Sequence, residues 1–219
     1  LVLLLTLLPL YNLVSKEISK PWLQGLDANQ LYVLVESDDT KDITVHYQIK
    51  GDISNQNLTS STKFFRKTNF GGNTYVHRIL LENLKFGTEY EYWLENKEKY
   101  SFRVPNESGE FTFANMGDNR SGTKHWRKII ANMGSEKPDF MIFNGDLAYK
   151  KEYNYWIDEF FVKEAQTVFT QYPFYNAPGN HEGSGFFTDR CGLSEGFSII
   201  VPPFVVTRSI VEWVLGENS

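Results

Sequence analysis

The chain has 219 residues, 41% hydrophobic and 22% charged, which is globular composition at a length that buries one large core or two modest ones and excludes an intrinsically disordered chain. Its 27 acidic residues against 22 basic ones give a net charge of -5, so the positive field of a nucleic-acid-binding surface is missing and no polyanionic partner is expected. The single cysteine, Cys191, excludes an intrachain disulfide framework and a CxxC zinc site.

In chain order, residues 1–15 open on the apolar run Leu1-Val-Leu-Leu-Leu-Thr-Leu-Leu-Pro-Leu10, which has the length of a secretory hydrophobic core and is too short to span a bilayer. We read it as an export signal, with a secreted or extracellular protein and no stable membrane span after its removal. A buried core strand or helix is the alternative, since the basic leader and small-residue cleavage site are missing. The sequons Asn57-Leu-Thr59 and Asn106-Glu-Ser108 fall in polar stretches where a glycan is tolerated.

Residues 21–105 follow a period of two. Ile43, Val45, Tyr47 and Ile49 alternate with Thr44, His46 and Gln48, predicting a strand with one buried face and His46 pointing outward. Similar runs at Leu31–Val35, Tyr75–Leu81, Thr88–Leu94 and Tyr100–Val104, divided by Gly, Asp, Asn and Ser clusters, predict an all-β sandwich. The stretch from Leu84 to Tyr92 resembles the entry to the penultimate strand of fibronectin type III-like domains, where a buried Leu precedes a turn and a Tyr hydroxyl serves a nearby backbone group. His46 and His77 lack Asp, Glu or Cys at ligand spacing and read as surface or strand-packing residues.

Residues 110–219 change pattern to strand, loop, helix. The run Phe111–Met116 leads into Gly117-Asp118-Asn119-Arg120; Trp126, Ile129, Ile130 and Met133 then recur at helical spacing. Pro138–Phe143 predicts a second buried strand ending at Asn144-Gly145-Asp146-Leu-Ala-Tyr149, and a single aromatic helix is expected from Tyr153 to Phe169. A third strand, Pro173–Ala177, stops at Pro178-Gly179-Asn180-His181-Glu182. Alternating strands and helices imply parallel strands whose carboxyl ends share one rim, so Asp118, Asp146 and Asn180 are expected to converge. The intervals of 28 residues (118 to 146) and 34 (146 to 180) each suit one helical crossover. Hard oxygen ligands on one rim suit a pair of divalent or trivalent ions, with one carboxylate bridging ions about 3.5–4 Å apart. Each single Gly-Asp or Gly-Asn pair is an ordinary turn dipeptide; their co-occurrence at successive strand ends is what points to metal, with the preceding glycine expected to make each turn.

The ordered blocks Gly117-Asp118, Gly145-Asp146-Leu-Ala-Tyr149 and Gly179-Asn180-His181-Glu182, behind a fibronectin-like module, resemble the calcineurin-like metallophosphoesterases and among them the purple acid phosphatases. The resemblance implies a two-domain protein, a fibronectin type III-like sandwich followed by an α/β metallophosphoesterase domain of which only the N-terminal half is present. It implies a phosphomonoester hydrolase of acid phosphatase type with two metal ions, Fe(III) plus Fe(II), Zn or Mn, acting on small-molecule phosphomonoesters. Asp118 would hold the first metal, Asp146 would bridge both, Tyr149 would bind the ferric ion as a phenolate and Asn180 would bind the second metal. His181 would face the substrate phosphate as the catalytic proton or hydrogen-bond donor. Two such cations lower the pKa of a water that attacks phosphorus in line and neutralise the departing oxygen. Arg120 cannot ligate a cation; contact with phosphate and a plain surface role both stand open. Asn119-Arg-Ser121 is a further sequon, poorly placed for a glycan at the rim.

The pattern then departs from the family. No histidine follows His181, whereas the family draws further histidine ligands from later blocks, and a site of oxygen donors alone holds transition metals weakly. The C-terminal stretch carries an apolar run, Phe197–Val206, read as a strand or hairpin, and Ser209–Leu215 as a short amphipathic helix. Two accounts follow: an incomplete record of a longer enzyme, which the missing initiator methionine suits, or a secreted or cell-surface binding module with a catalytically silent phosphoesterase remnant. Either leaves one sheet face apolar and open to self-association. No glycine loop precedes Lys-Ser or Lys-Thr and no GxGxxG follows a strand, which excludes nucleotide binding of those types.

Overall fold

The structure is a computed structural model that describes residues 18–27, 29–54, 56–59, 62–67, 72–95, 98–150, 152–177, 179–181 and 205–211. The apolar run read as an export signal lies outside these residues, as does Phe197–Phe204 of the C-terminal apolar run. Among the described residues no helix is long and apolar enough to cross a membrane.

Strands β1 (Trp22–Asp27), β2 (Gln30–Ser37), β3 (Thr44–Ile49), β4 (Gln56–Thr59), β5 (Thr62–Lys67), β6 (Asn73–Leu81), β7 (Glu89–Leu94) and β8 (Tyr100–Arg103) form the N-terminal sandwich. The four-stranded sheet β4-β3-β7-β8 faces β1-β2-β6-β5, and Leu31, Val33 and Val35 of one sheet meet Val45, Tyr92 and Phe102 of the other in one apolar core. Alternation is strict in β3, where Val45 and Tyr47 are buried and His46 faces out to stack on Trp93 at 5.5 Å. It is lost in β2, whose Leu34 belongs to the core of the following domain, as a strand covered on both faces requires. The predicted turn chemistry holds: Leu84 is buried and the Lys85 N–H donates to the Tyr90 hydroxyl at 2.9 Å. His77 is a strand-packing residue, fully buried with Nε2 2.7 Å from Ser37 Oγ.

The second region begins with β9 (Glu110–Met116), followed by α1 (Thr123–Ser135), β10 (Phe140–Phe143), a broken helix whose first turn is α2 (Tyr153–Tyr155), α3 (Lys163–Phe169), β11 (Phe174–Asn176) and β12 (Val205–Val211). β9, β10 and β11 pair in parallel, β12 pairs in parallel with β9, and β11 pairs in parallel with β1. The result is one eight-stranded sheet, β12-β9-β10-β11-β1-β2-β6-β5, shared by sandwich and α/β region. α1 and α3 cover one face, burying Trp126, Ile130 and Met133 against Ala165, Val168 and Phe169. Gly134 permits that approach, because a Cβ there would lie 2.8 Å from Val168 Cγ2. On the reverse face Phe111 and Phe113 stack on Phe140 at 5.5 and 5.6 Å, and Phe113 and Ile142 stay partly exposed.

Two sequence expectations are corrected. The aromatic helix from Tyr153 to Phe169 is not continuous: Trp156–Phe160 widens to a turn closed by Phe161 N–H on the Trp156 carbonyl at 2.7 Å, and Val162 is extended before α3 restarts. The break lets Trp156, Phe160 and Phe161 all enter the core, more than one straight helical stripe would bury. The expected helix at Ser209–Leu215 instead begins as strand, since Ser209, Ile210 and Val211 pair with Phe113, Ala114 and Asn115 of β9; an open parallel edge satisfied their backbone groups.

Candidate metal centre

Parallel register brings the strand ends level, with Met116 opposite Phe143 and Phe143 opposite Asn176. The loops that leave these ends are laced by backbone bonds. Asn144 N–H donates to the Met116 carbonyl at 2.8 Å, Asp118 N–H to the Gly145 carbonyl at 2.9 Å and Arg120 N–H to the Asp146 carbonyl at 3.2 Å. Asn119, only 2% exposed, donates Nδ2–H to the Leu147 carbonyl at 3.0 Å, so its sequon nitrogen is engaged inside the fold. Gly145 turns the second loop at φ 84°, as expected, but glycine does not act alone. Asp118 and Asp146 themselves sit in the left-handed region, at φ 56° and 53°, a conformation short polar side chains tolerate better than others and one that clusters at functional sites. Gly117 is needed for closeness instead: a Cβ there would stand 3.2 Å from the Asn144 Cβ.

Arg120 occupies the centre of the rim. Its Nη1 contacts Asp146 Oδ2 and lies 3.3 Å from Asp118 Oδ1, so a single cationic nitrogen touches both carboxylates. Asp146 is the more enclosed of the two, its side chain 16% exposed against 70% for Asp118. The remaining oxygen of Asp146 accepts the His181 backbone N–H at 3.2 Å, tying in the third loop. His181 Nδ1 is 2.7 Å from the Tyr149 carbonyl. A carbonyl only accepts, so Nδ1 carries the proton and, in the neutral ring, Nε2 carries the lone pair. Tyr149 is exposed, its ring 5.5 Å from that of His181. Asn180 is exposed in the turn one residue before His181.

Glu159 has no place in the sequence reading. Its Oε2 accepts the Tyr149 N–H at 2.7 Å and the Ser121 N–H at 3.4 Å, joining the first and second loops from the widened turn between α2 and α3. Nothing in the motif pattern singles it out, because its role depends on where the broken helix passes the rim.

The two carboxylates are hard oxygen donors of the kind a hard cation takes. Two carboxylate oxygens that converge on one positive nitrogen already display the arrangement, with the guanidinium as stand-in ion. Imidazole donors for a second ion are not gathered there: His46 and His77 belong to the sandwich, His125 is exposed on α1, and His181 uses Nδ1 on Tyr149. Among the described residues no group of three or more His, Cys, Asp or Glu is placed to hold a metal.

Residues 111–215 match the model of the calcineurin-like phosphoesterase family. Acid phosphatase type 7 of Danio rerio is 28% identical over 166 residues, which cover 70% of this chain and 37% of that protein. A protein of Arabidopsis thaliana named probable inactive purple acid phosphatase 9 is 28% identical over 125 residues, covering 47% of this chain and 19% of that protein. The chain therefore spans well under half the length of these relatives. Among solved structures, a pullulanase from Anoxybacillus sp. LM18-11 aligns over 39% of this chain and 12% of that chain at 11% identity and a TM-score of 0.28, a likeness that carries no argument. Residues 111–215 thus match the calcineurin-like phosphoesterase family, and over part of its length the chain is similar to an acid phosphatase and to a protein named for the purple acid phosphatases.

Proposed function

We propose that the chain, or the longer protein to which its domain belongs, hydrolyses small phosphomonoesters in the manner of an acid phosphatase, and that the rim above β9, β10 and β11 is the site. The observation that supports this most is the meeting of Asp118 and Asp146 on one cationic nitrogen, with His181 bonded to the second oxygen of Asp146. In this reading Asp118, Asp146, Tyr149 and Asn180 would be the oxygen donors to metal, with Asp146 shared between two ions and Tyr149 the donor suited to Fe(III), and Fe(II), Zn or Mn would be the second ion. Bound metal would supply charge neutralisation at phosphorus and at the departing oxygen. Asp146 orients the third loop through the His181 N–H, and the Tyr149 carbonyl fixes the His181 tautomer, leaving Nε2 as the ring position for a proton in transit to or from the phosphate.

Residues 21–105 are proposed as a fibronectin type III-like domain and 110–219 as the phosphoesterase region, in a secreted or extracellular protein. Self-association would use the face of Phe113 and Ile142. A second reading, a binding module with a silent phosphoesterase remnant, is favoured by one feature: both carboxylates are already engaged by Arg120. Turnover of p-nitrophenyl phosphate by the 219-residue chain with iron plus zinc or manganese separates the two. Activity that Asp146→Asn abolishes supports hydrolysis by this chain; no turnover with any metal pair leaves hydrolysis by a longer parent enzyme or the silent reading.

A further inference from the structure

We infer that Arg120 is a built-in counter-cation that holds the Asp118–Asp146 seat against metal, so that metal binds by exchange and phosphate, by capturing the displaced guanidinium, makes that exchange favourable. The inference rests on reading this rim as the phosphoesterase site.

The geometry gives the exchange its form. The Arg120 backbone is fixed by its N–H on the Asp146 carbonyl, and the loop beyond it by Ser121 N–H on Glu159 and Gly122 N–H on the Asn119 carbonyl at 3.1 Å. The side chain is the movable part, 30% exposed and so with a way out to solvent. While Nη1 is on both carboxylates, an incoming ion must first break one charge-assisted hydrogen bond, to Asp146, and one ion pair, to Asp118. The rim nevertheless keeps an excess of negative charge, since Asp118 and Asp146 share one guanidinium, and this draws a small divalent ion of higher charge density toward the seat. Once displaced, the fork remains tethered beside the ion, where its planar donors match two phosphate oxygens. Guanidinium on carboxylate and guanidinium on phosphate exclude each other. Metal and phosphate therefore help one another to bind, and by linkage each raises the other's affinity by the same factor.

Calorimetric titration of the full chain with Zn(II) and with Mn(II), with and without inorganic phosphate, tests this. Arg120→Ala is expected to bind either ion about ten- to a hundredfold more tightly than wild type in the absence of phosphate, the range given by loss of a charge-assisted pair. Arg120→Lys, which retains the charge, should stay within severalfold of wild type, and Asp146→Asn added to Arg120→Ala should abolish the gain. Phosphate should tighten metal binding more in wild type than in Arg120→Ala. Far-ultraviolet circular dichroism establishes that each variant is folded. Equal or weaker metal binding by folded Arg120→Ala overturns the inference, as does the absence of binding by every variant. Hydrolysis is read separately. Tight metal binding by Arg120→Ala without turnover by any variant upholds the inference and defeats hydrolysis by this chain; turnover with metal affinities that ignore residue 120 does the reverse.

Discussion

The sandwich and the helical layer of the second region are joined by a buried hydrogen bond whose donor is one side-chain oxygen. Tyr92 of β7 is fully buried and donates its hydroxyl to the Thr170 carbonyl at 2.9 Å, 78 residues along the chain. Thr170 ends α3 and is 2% exposed, so its carbonyl is among those that a helix terminus leaves without an internal partner. Tyr92→Phe keeps the ring and its contacts with Tyr100 at 5.4 Å and Phe102 at 5.9 Å and deletes only the donor. The net worth of a neutral hydrogen bond is about 1 kcal/mol, and a buried acceptor left unpaired raises the loss to about 1–3 kcal/mol. Urea unfolding at pH 8 should show this as a lower midpoint with an unchanged slope. Burial pushes the Tyr92 phenol well above its ordinary range, with Tyr100 adding to it. The folded state therefore keeps the proton after the unfolded chain has begun to lose it. The advantage of wild type over Tyr92→Phe is fully present below about pH 10 and shrinks as pH climbs above it toward the raised folded value. A difference below about 0.5 kcal/mol at pH 8, or one that does not shrink above pH 10, refutes the argument.

Phe143→Ala should cost about 3–5 kcal/mol, because the fully buried ring meets Trp126, Phe160, Phe169 and Phe174 at 5.1 to 5.8 Å; thermal unfolding measures it. Gly117→Val should push the first loop off Asn144, since even a Cβ would stand 3.2 Å from the Asn144 Cβ, with an overpacking loss of about 1–3 kcal/mol and weaker metal binding at the rim in the same titrations. Glu159→Ala removes the acceptor for the Tyr149 and Ser121 amides. Hydrogen exchange at those amides should accelerate about tenfold, while protection of β10 stays unchanged.

Much of the architecture was legible in the residues because burial imposes periodicity. The alternation of Val45 and Tyr47 with His46, the helical spacing of Trp126, Ile130 and Met133, and the apolar run before Asn144 each report one local environment, and the observed strands and helix α1 follow them. Strand ends carrying Gly-Asp or Gly-Asn named the candidate oxygen donors for the same reason: parallel topology sends consecutive strand ends to one edge. Periodicity carries no account of what packs on a second face. Hence the break in the Tyr153–Phe169 helix, the strand at Ser209–Val211 and the joining of β11 to β1 into one sheet belonged to the tertiary structure. The roles of Arg120 and Glu159 belonged there too. An arginine two residues past an aspartate reads equally as a surface residue or a phosphate ligand, and a glutamate on an aromatic turn reads as solvent-facing. Only the folded chain decides that one nitrogen of Arg120 stands between Asp118 and Asp146 and that Glu159 ties two loops, because electrostatic partners are set by distances through space and local sequence encodes none of them.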